Sequence, residues 1–126
     1  MIVAGSRGFR DPDMLYRTCD HMLRRKALDG GIMILSGGAS GADLMGEQYA
    51  ADRGYTVQRY PAQWNIFGKR AGLIRNRLMA ENADALIAFW DGRSKGTQNM
   101  IYEAMRAGLQ IAVKQIRLDR RGQGVI

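Results

Sequence analysis

One cysteine, one histidine and two prolines occur among the 126 residues, and each scarcity excludes a class of chemistry. Cys19 stands alone, so neither a disulfide framework nor a CxxC redox or zinc motif can form within one chain. His21, the one histidine, leaves no HExxH zinc site, and a Ser-His-Asp triad would have to recruit it from mid-helix, far from the glycine-rich loops. No metal site and no cofactor is therefore expected. Long apolar runs are missing too, and the strand-like IVAG follows Met1 with no positively charged leader, so the expectation is a cytoplasmic protein with no membrane partner.

Acids are also few. Lys plus Arg number 19 against 12 for Asp plus Glu, a formal charge of +7 that favours an anionic partner. A soluble protein with a basic surface would have the same composition, so position carries more weight than the total.

Five runs of strand length are present: MIVAG at 1–5, IMILS at 32–36, TVQRY at 56–60, ALIAFW at 85–90 and QIAVKQI at 110–116. Segments long enough for helices separate them, which predicts a Rossmann-like three-layer α/β/α sandwich around a mainly parallel sheet. The chain can build one way from the first strand and then cross to its other side, giving the order 3-2-1-4-5. One domain over 1–126 is expected, with the tail 117–126 frayed, continuing the last strand, or meeting a second subunit. Asp11 with Pro12 marks a helix start, and Gly30, Gly54, Asn82 and Gly108 sit where left-handed C-terminal residues are wanted. Leu15, Cys19 and Met22 share one stripe, which makes Cys19 a core residue and His21 a solvent-side one.

At the carboxyl rim three loops converge on the point where the strand order reverses: GSRGFRD (5–11), SGGASGAD (36–43) and DGRSKGT (91–97). Each combines glycine, a small hydroxyl or a cation. In the second loop Gly37, Gly38 and Gly41 would let the backbone approach a ligand, and the following helix would present free N–H groups to an anion. It is neither a Walker A loop nor a GxGxxG loop. Ser40 and Asp43 alternatively form a capping box. Ser6 and Arg7 on the first loop, and Asp91, Lys95, Gly96 and Thr97 on the third, complete the candidate ligand set together with Gly5.

The stretch QWNIFGKRAGLIRNRLM (63–79) joins two aromatics to a basic run. Trp64 and Phe67 could stack on a base while Arg75 and Asn76 address phosphate or ribose; a dimer contact, or an inward-packed Trp64, are the alternatives. For cleavage of an N-glycosidic bond the available carboxylates are Asp43, Asp91 and Glu103, with Asp43 and Glu103 the catalytic candidates. Glu103 could equally pair with Arg106 three positions on.

These blocks, with ADALIAFWDG and SKGTQNMIYEA, resemble the SLOG superfamily, the Rossmann-like group named for Smf/DprA and the Lonely Guy (LOG) proteins, and in particular its small bacterial and phage branch related to YspA and YpsA. The resemblance runs from Met1 to about Val113. It implies a pocket for a nucleotide or nucleotide-derived small molecule, using Gly5, Ser6, Arg7, Gly37, Gly38, Asp43, Arg75, Asn76, Gly96 and Thr97, and it implies a homodimer or higher homo-oligomer. LOG phosphoribohydrolases carry PGGxGTxxE, whereas this chain has DGRSKGTQNMIYE. Gly96 and Thr97 match, but the family acid falls at Met100, and Glu103 lies almost one turn later, about 5 Å along a helix. Binding as sensor, sequestering protein or enzyme is the primary expectation. A LOG-like hydrolase is one alternative. Smf/DprA-like single-stranded DNA binding, with Arg24, Arg25, Lys26 and the 70–77 segment on the backbone, is another.

Overall fold

The apolar runs become a parallel sheet and the segments between them its helices, in a computed structural model that describes residues 1–24, 31–118 and 124–125. In chain order the elements are β1 (Ile2–Gly5), α1 (Pro12–Leu23), β2 (Met33–Ser36), α2 (Ala42–Arg53), β3 (Thr56–Arg59), α3 (Trp64–Phe67), a 3-10 turn (Gly68–Arg70), α4 (Ala71–Glu81), β4 (Ala85–Trp90), α5 (Lys95–Arg106) and β5 (Gln110–Gln115). Two short strands follow, β6 (Arg117–Leu118) and β7 (Gly124–Val125). The order across the five-stranded sheet is β3-β2-β1-β4-β5, with every pairing parallel, as the alternation of strand and helix predicts. Ile2 stands between Leu35 of β2 and Leu86 of β4, so β1 is the centre of the sheet.

Strand periodicity divides the core in two. Val3, Ile34, Ile87 and Phe89 face α1 and α2, meeting Leu15, Cys19, Leu23, Tyr49 and Ala50. Ile2, Leu35, Leu86 and Ala88 point to the other side, against Met79 and Ala80 of α4 and Met100 and Ala104 of α5. This is the doubly covered arrangement that all-parallel sheets require. Cys19 is fully buried, and burial pushes its thiol up to about 12, leaving it inert. His21 is exposed. Phe9, also fully buried, stacks on Phe89 with ring centroids 4.8 Å apart and so pins the loop after β1 over the sheet.

Helix ends follow the sequence in part. Asp11 accepts from the backbone N–H of Met14 at 3.1 Å, with Pro12 in the first helical position. Gly54 (φ 74°) and Gly108 (φ 75°) are left-handed as expected. Asn82 is not: its φ is −113°, and its side-chain amide instead donates to the carbonyl of Leu78 at 2.8 Å. The Ser40–Asp43 capping box does not form either, because α2 starts after Gly41 with no side-chain cap. The tail does not extend β5, since Arg117 and Leu118 pair antiparallel with Val125 and Gly124. Arg25, Lys26 and Gly30 lie outside the described residues. Among the described residues no helix is long and apolar enough to cross a membrane.

Gly46 lets α2 approach β1 closely, since a Cβ there would lie 2.8 Å from the Cβ of Val3. In an exposed helix Gly→Ala stabilises by about 1 kcal/mol; here overpacking of the α2–β1 contact, typically about 1–3 kcal/mol, outweighs it. Gly46→Ala is therefore expected to lower the urea midpoint, and a raised midpoint would show α2 free to shift off β1.

Candidate functional site

Because β1 has β2 on one side and β4 on the other, the chain leaves the carboxyl rim in opposite directions and opens a crevice between those loops. Ser6 holds the β4 side. Its N–H donates to the carbonyl of Phe89 at 3.0 Å, and its buried hydroxyl accepts from the N–H of Asp91 at 3.2 Å. Asp91 in turn accepts from the N–H groups of Arg93 and Ser94 at 2.8 and 2.9 Å. Burial pushes the Asp91 carboxyl up, but the N–H groups of Ser94 and Arg93 and the Ser6 contact outweigh it and hold the acid below its ordinary value. The loop so shaped delivers α5 with Ser94 as N-cap and no side-chain cap, which leaves its first-turn N–H groups for another acceptor.

On the β2 side the loop folds tightly against the first. A Cβ on Gly41, whose φ is 80°, would lie 2.5 Å from the carbonyl oxygens of both Ser6 and Arg7. That contact turns Asp43 inward, where it is buried and accepts from the N–H of Ala39 at 3.2 Å. Burial raises its carboxyl to about 6, against the pull of the Ala39 N–H, Arg75 and Arg7.

Arg75, from α4, enters the same space. Its Nη1 donates to the carbonyls of Gly37 at 2.9 Å and Tyr60 at 3.4 Å, and its Nε to the Asn76 side chain at 2.9 Å. A Cβ at Gly37 would come within 2.6 Å of that Nη1 and 2.9 Å of the Asp43 carboxylate, so glycine there makes room for a cation and an acid of the protein itself. Burial, with Arg7 nearby, lowers the guanidinium's pKa while Asp43 raises it. Buried Asn76 ties α4 to α5 by donating to Asn99 at 2.9 Å and to the carbonyl of Gly96 at 3.3 Å.

The result is a cleft of about 450 Å³, within the range of small-molecule sites. It brings together Gly5, Ser6, Arg7, Gly37, Asp43, Arg75, Asn76, Asp91, Gly96 and Thr97 from all three loops and α4. Gly38, Ser40, Gly41, Lys95, Trp64 and Glu103 are not on its walls. Gly38 instead donates its N–H to the hydroxyl of Ser36 at 3.0 Å, and Ser40 is exposed. Trp64 neither joins the core nor reaches the cleft; it is 55% exposed and leans on α4 beside Gly72. Glu103 lies between Arg77 and Arg106, 3.5 Å from each, so the helical pairing with Arg106 is present.

Two features of the site are absent from the residue-by-residue reading. Met79 and Met100 give the cleft an apolar wall; the spacing of Met100 three positions after Thr97 puts both on one face of α5 and was the available signal. Behind the β2 loop, Glu47 accepts from the Ser36 hydroxyl at 2.6 Å and from Nε and Nη2 of Arg59 at 3.0 and 2.5 Å. Arg59 holds the Glu47 carboxyl below its ordinary value. Glu47 follows Asp43 by four positions, one helical turn, which places the two acids on the same side of α2. Among the described residues no cluster of His, Cys, Asp and Glu has the arrangement to hold a metal ion.

This geometry can be set beside known proteins. The sequence profile of the YspA, cpYpsA-related SLOG family matches residues 1–67. Gene 61 protein of Mycobacterium phage D29 is 32% identical over 117 residues, covering 88% of this chain and 92% of the phage protein. No solved structure matches. The chain belongs to the YspA, cpYpsA-related SLOG family.

Asp43 generates a test. Its folded pKa of about 6 lies above the ordinary 3.8, so between those values the folded state holds a proton that the unfolded state releases, and this residue's contribution to stability falls as pH rises through the window. Two units correspond to about 3 kcal/mol at most. Asp43→Asn keeps an acceptor for Ala39 without the charge, so its stability relative to the natural protein is expected to climb from pH 4 to pH 7 in urea titrations. A constant difference across that range would show Asp43 to be ionised throughout.

Proposed function

We propose that the cleft binds a nucleotide or nucleotide-derived small molecule, with its phosphate between Arg7, Arg75 and the first turn of α5. The observation that carries this reading is the convergence of two guanidinium groups on a helix N-terminus left without a side-chain cap, at the switch point of a parallel sheet. Arg75, which lines the cleft, is anchored by carbonyls and Asn76 through Nη1 and Nε, so its guanidinium is held in place before any ligand arrives. Arg7 is exposed and has no ion pair among the described residues, so an incoming anion does not have to displace a protein carboxylate from it. Membership of a SLOG family supports a nucleotide-related ligand.

The apolar wall of Met79 and Met100 suits the face of a base or the apolar side of a ribose better than a second phosphate. Met100 also bears on turnover. It occupies a cleft-wall position where LOG-like hydrolases are expected to carry an acid, while Glu103 is engaged by two arginines. The reading is thus binding, with Asp43 and Asp91 the carboxylates that line the cleft.

The experiment is native mass spectrometry of freshly purified protein, then a thermal-shift panel of nucleoside monophosphates, ADP-ribose, NAD, cyclic dinucleotides and short single-stranded DNA. At least one small nucleotide is expected to be retained or to stabilise, and Arg75→Ala to weaken it by about tenfold or more, the value of one charge-assisted hydrogen bond. A salt-sensitive shift with DNA alone, unaffected by mononucleotide competition, would replace this reading with backbone recognition of a nucleic acid.

A further inference from the structure

Helix α4 returns the chain from the carboxyl rim of β3 to the start of β4, so its first turn stands at the mouth of the cleft and its later turns descend beside it. Gly72, Arg75, Asn76 and Met79 follow one another at three- and four-residue spacing and share one face of the helix. Arg75, Asn76 and Met79 line the cleft. Gly72 is the outermost step of the same stripe, about 4.5 Å along the helix from Arg75.

Trp64 is the residue beside that step. A Cβ on Gly72 would lie 3.5 Å from Cη2 of the indole, with no second atom within 4 Å outside its own helix and chain neighbours among the described residues. The indole thus meets α4 by its outer edge, and the side chain is 55% exposed. Packing explains neither member of the pair. From Gln63 to Arg70 every residue is exposed, so no core holds the indole at the mouth. A spacing of 3.5 Å is ordinary van der Waals contact, so alanine, a better helix former than glycine, would fit at position 72. Glycine there keeps bare the strip between the indole and Arg75.

The surrounding charge narrows what the indole receives. Arg7 and Arg75 line the cleft, and Lys69 and Arg70 follow Trp64 in the chain. A cation, one common guest of an indole face, is therefore disfavoured. The arrangement fits a neutral planar ring carried by an anion.

We infer that Trp64 is the base platform of the site: with the phosphate held in the cleft and the ribose over Met79 and Met100, the base leaves the mouth across Gly72 and stacks on the indole. This rests on the nucleotide reading and adds a rule of selection to it. Every base has a π-face, so a stacking platform requires a base without choosing among them.

Isothermal titration with AMP, GMP, CMP, UMP and ribose 5-phosphate tests this on the natural protein, Trp64→Leu, Trp64→Phe and Arg75→Ala. The four nucleotides are expected to bind within about tenfold of one another, and ribose 5-phosphate about tenfold or more weaker than the tightest of them. Trp64→Leu is expected to keep the natural thermal midpoint, to weaken the nucleotides about tenfold and to leave ribose 5-phosphate unchanged, while Trp64→Phe retains most of the affinity. AMP is expected to quench the indole emission, a change that Trp64→Leu removes although Trp90 remains. Arg75→Ala weakens nucleotides and ribose 5-phosphate alike. Nucleotide binding that depends on Arg75 but not on Trp64, or an equal loss of ribose 5-phosphate in Trp64→Leu, overturns this inference and leaves the nucleotide reading standing. A natural protein that binds none of the four nucleotides also overturns it, and the nucleotide reading falls with it if the wider panel fails as well.

Discussion

Gly41 sits where the loop after β2 touches the loop after β1 backbone to backbone, with the carbonyls of Ser6 and Arg7 in the space a side chain would need. Much of the rim follows from that approach. It starts α2 without a side-chain cap, turns Asp43 inward under the Ala39 N–H, and leaves beneath Gly37 a slot that the Arg75 guanidinium fills. A cluster of glycines after a strand reads naturally as a cradle for phosphate, but here two of them are demanded by other parts of the protein. The cationic and helix-terminal groups that line the cleft come from elsewhere, from Arg7, Arg75 and the start of α5.

The net charge of +7 looks different once its members are located. Arg53 is bound to Asp20 and lies over the rings of Tyr16 and Tyr49, Arg59 is bound to Glu47, and Arg77 and Arg106 share Glu103. Arg53, Arg59 and Arg77 staple helix to helix or helix to strand, and Arg106 pairs within α5, at modest gain for exposed pairs. Four of the 19 basic residues are thus held by three acids, and of the others Arg7 and Arg75 line the cleft.

The number, order and direction of the strands in the five-stranded sheet were legible because five apolar runs alternate with helical segments, a pattern that a parallel sheet alone accommodates well. The Asp11 cap, the Cys19 stripe and the left-handed Gly54 were legible for the same local reason. The capping box that Ser40 offered as an alternative does not form, because Gly41 takes the N-cap position against Ser6 and Arg7, more than thirty residues earlier, and no local pattern announces that contact. Asn82 found a helical carbonyl within its own turn, so it had no need of a left-handed backbone. The positions of Glu103 and Met100 on α5 were fixed by helical phase against the sheet, which periodicity hints at and packing decides. For Trp64 the sequence offered three surroundings, and only the placement of α3 outside the cleft separates them.

The central strand is the first one made. β1 meets β2 early in the chain, but its other edge waits for β4, with Ile2 beside Leu86 and Gly5 beside Phe89. A chain emerging from the ribosome must therefore carry an open, apolar strand edge through the synthesis of α1 to α4. Such long-range pairing is slow and exposes the nascent chain to aggregation. The N-terminal stretch that bears the family's sequence signature, residues 1–67, has neither the partner for that edge nor Arg75, Gly96 and Thr97. As an isolated fragment it would hold three of the five strands and two of the three loops around the cleft.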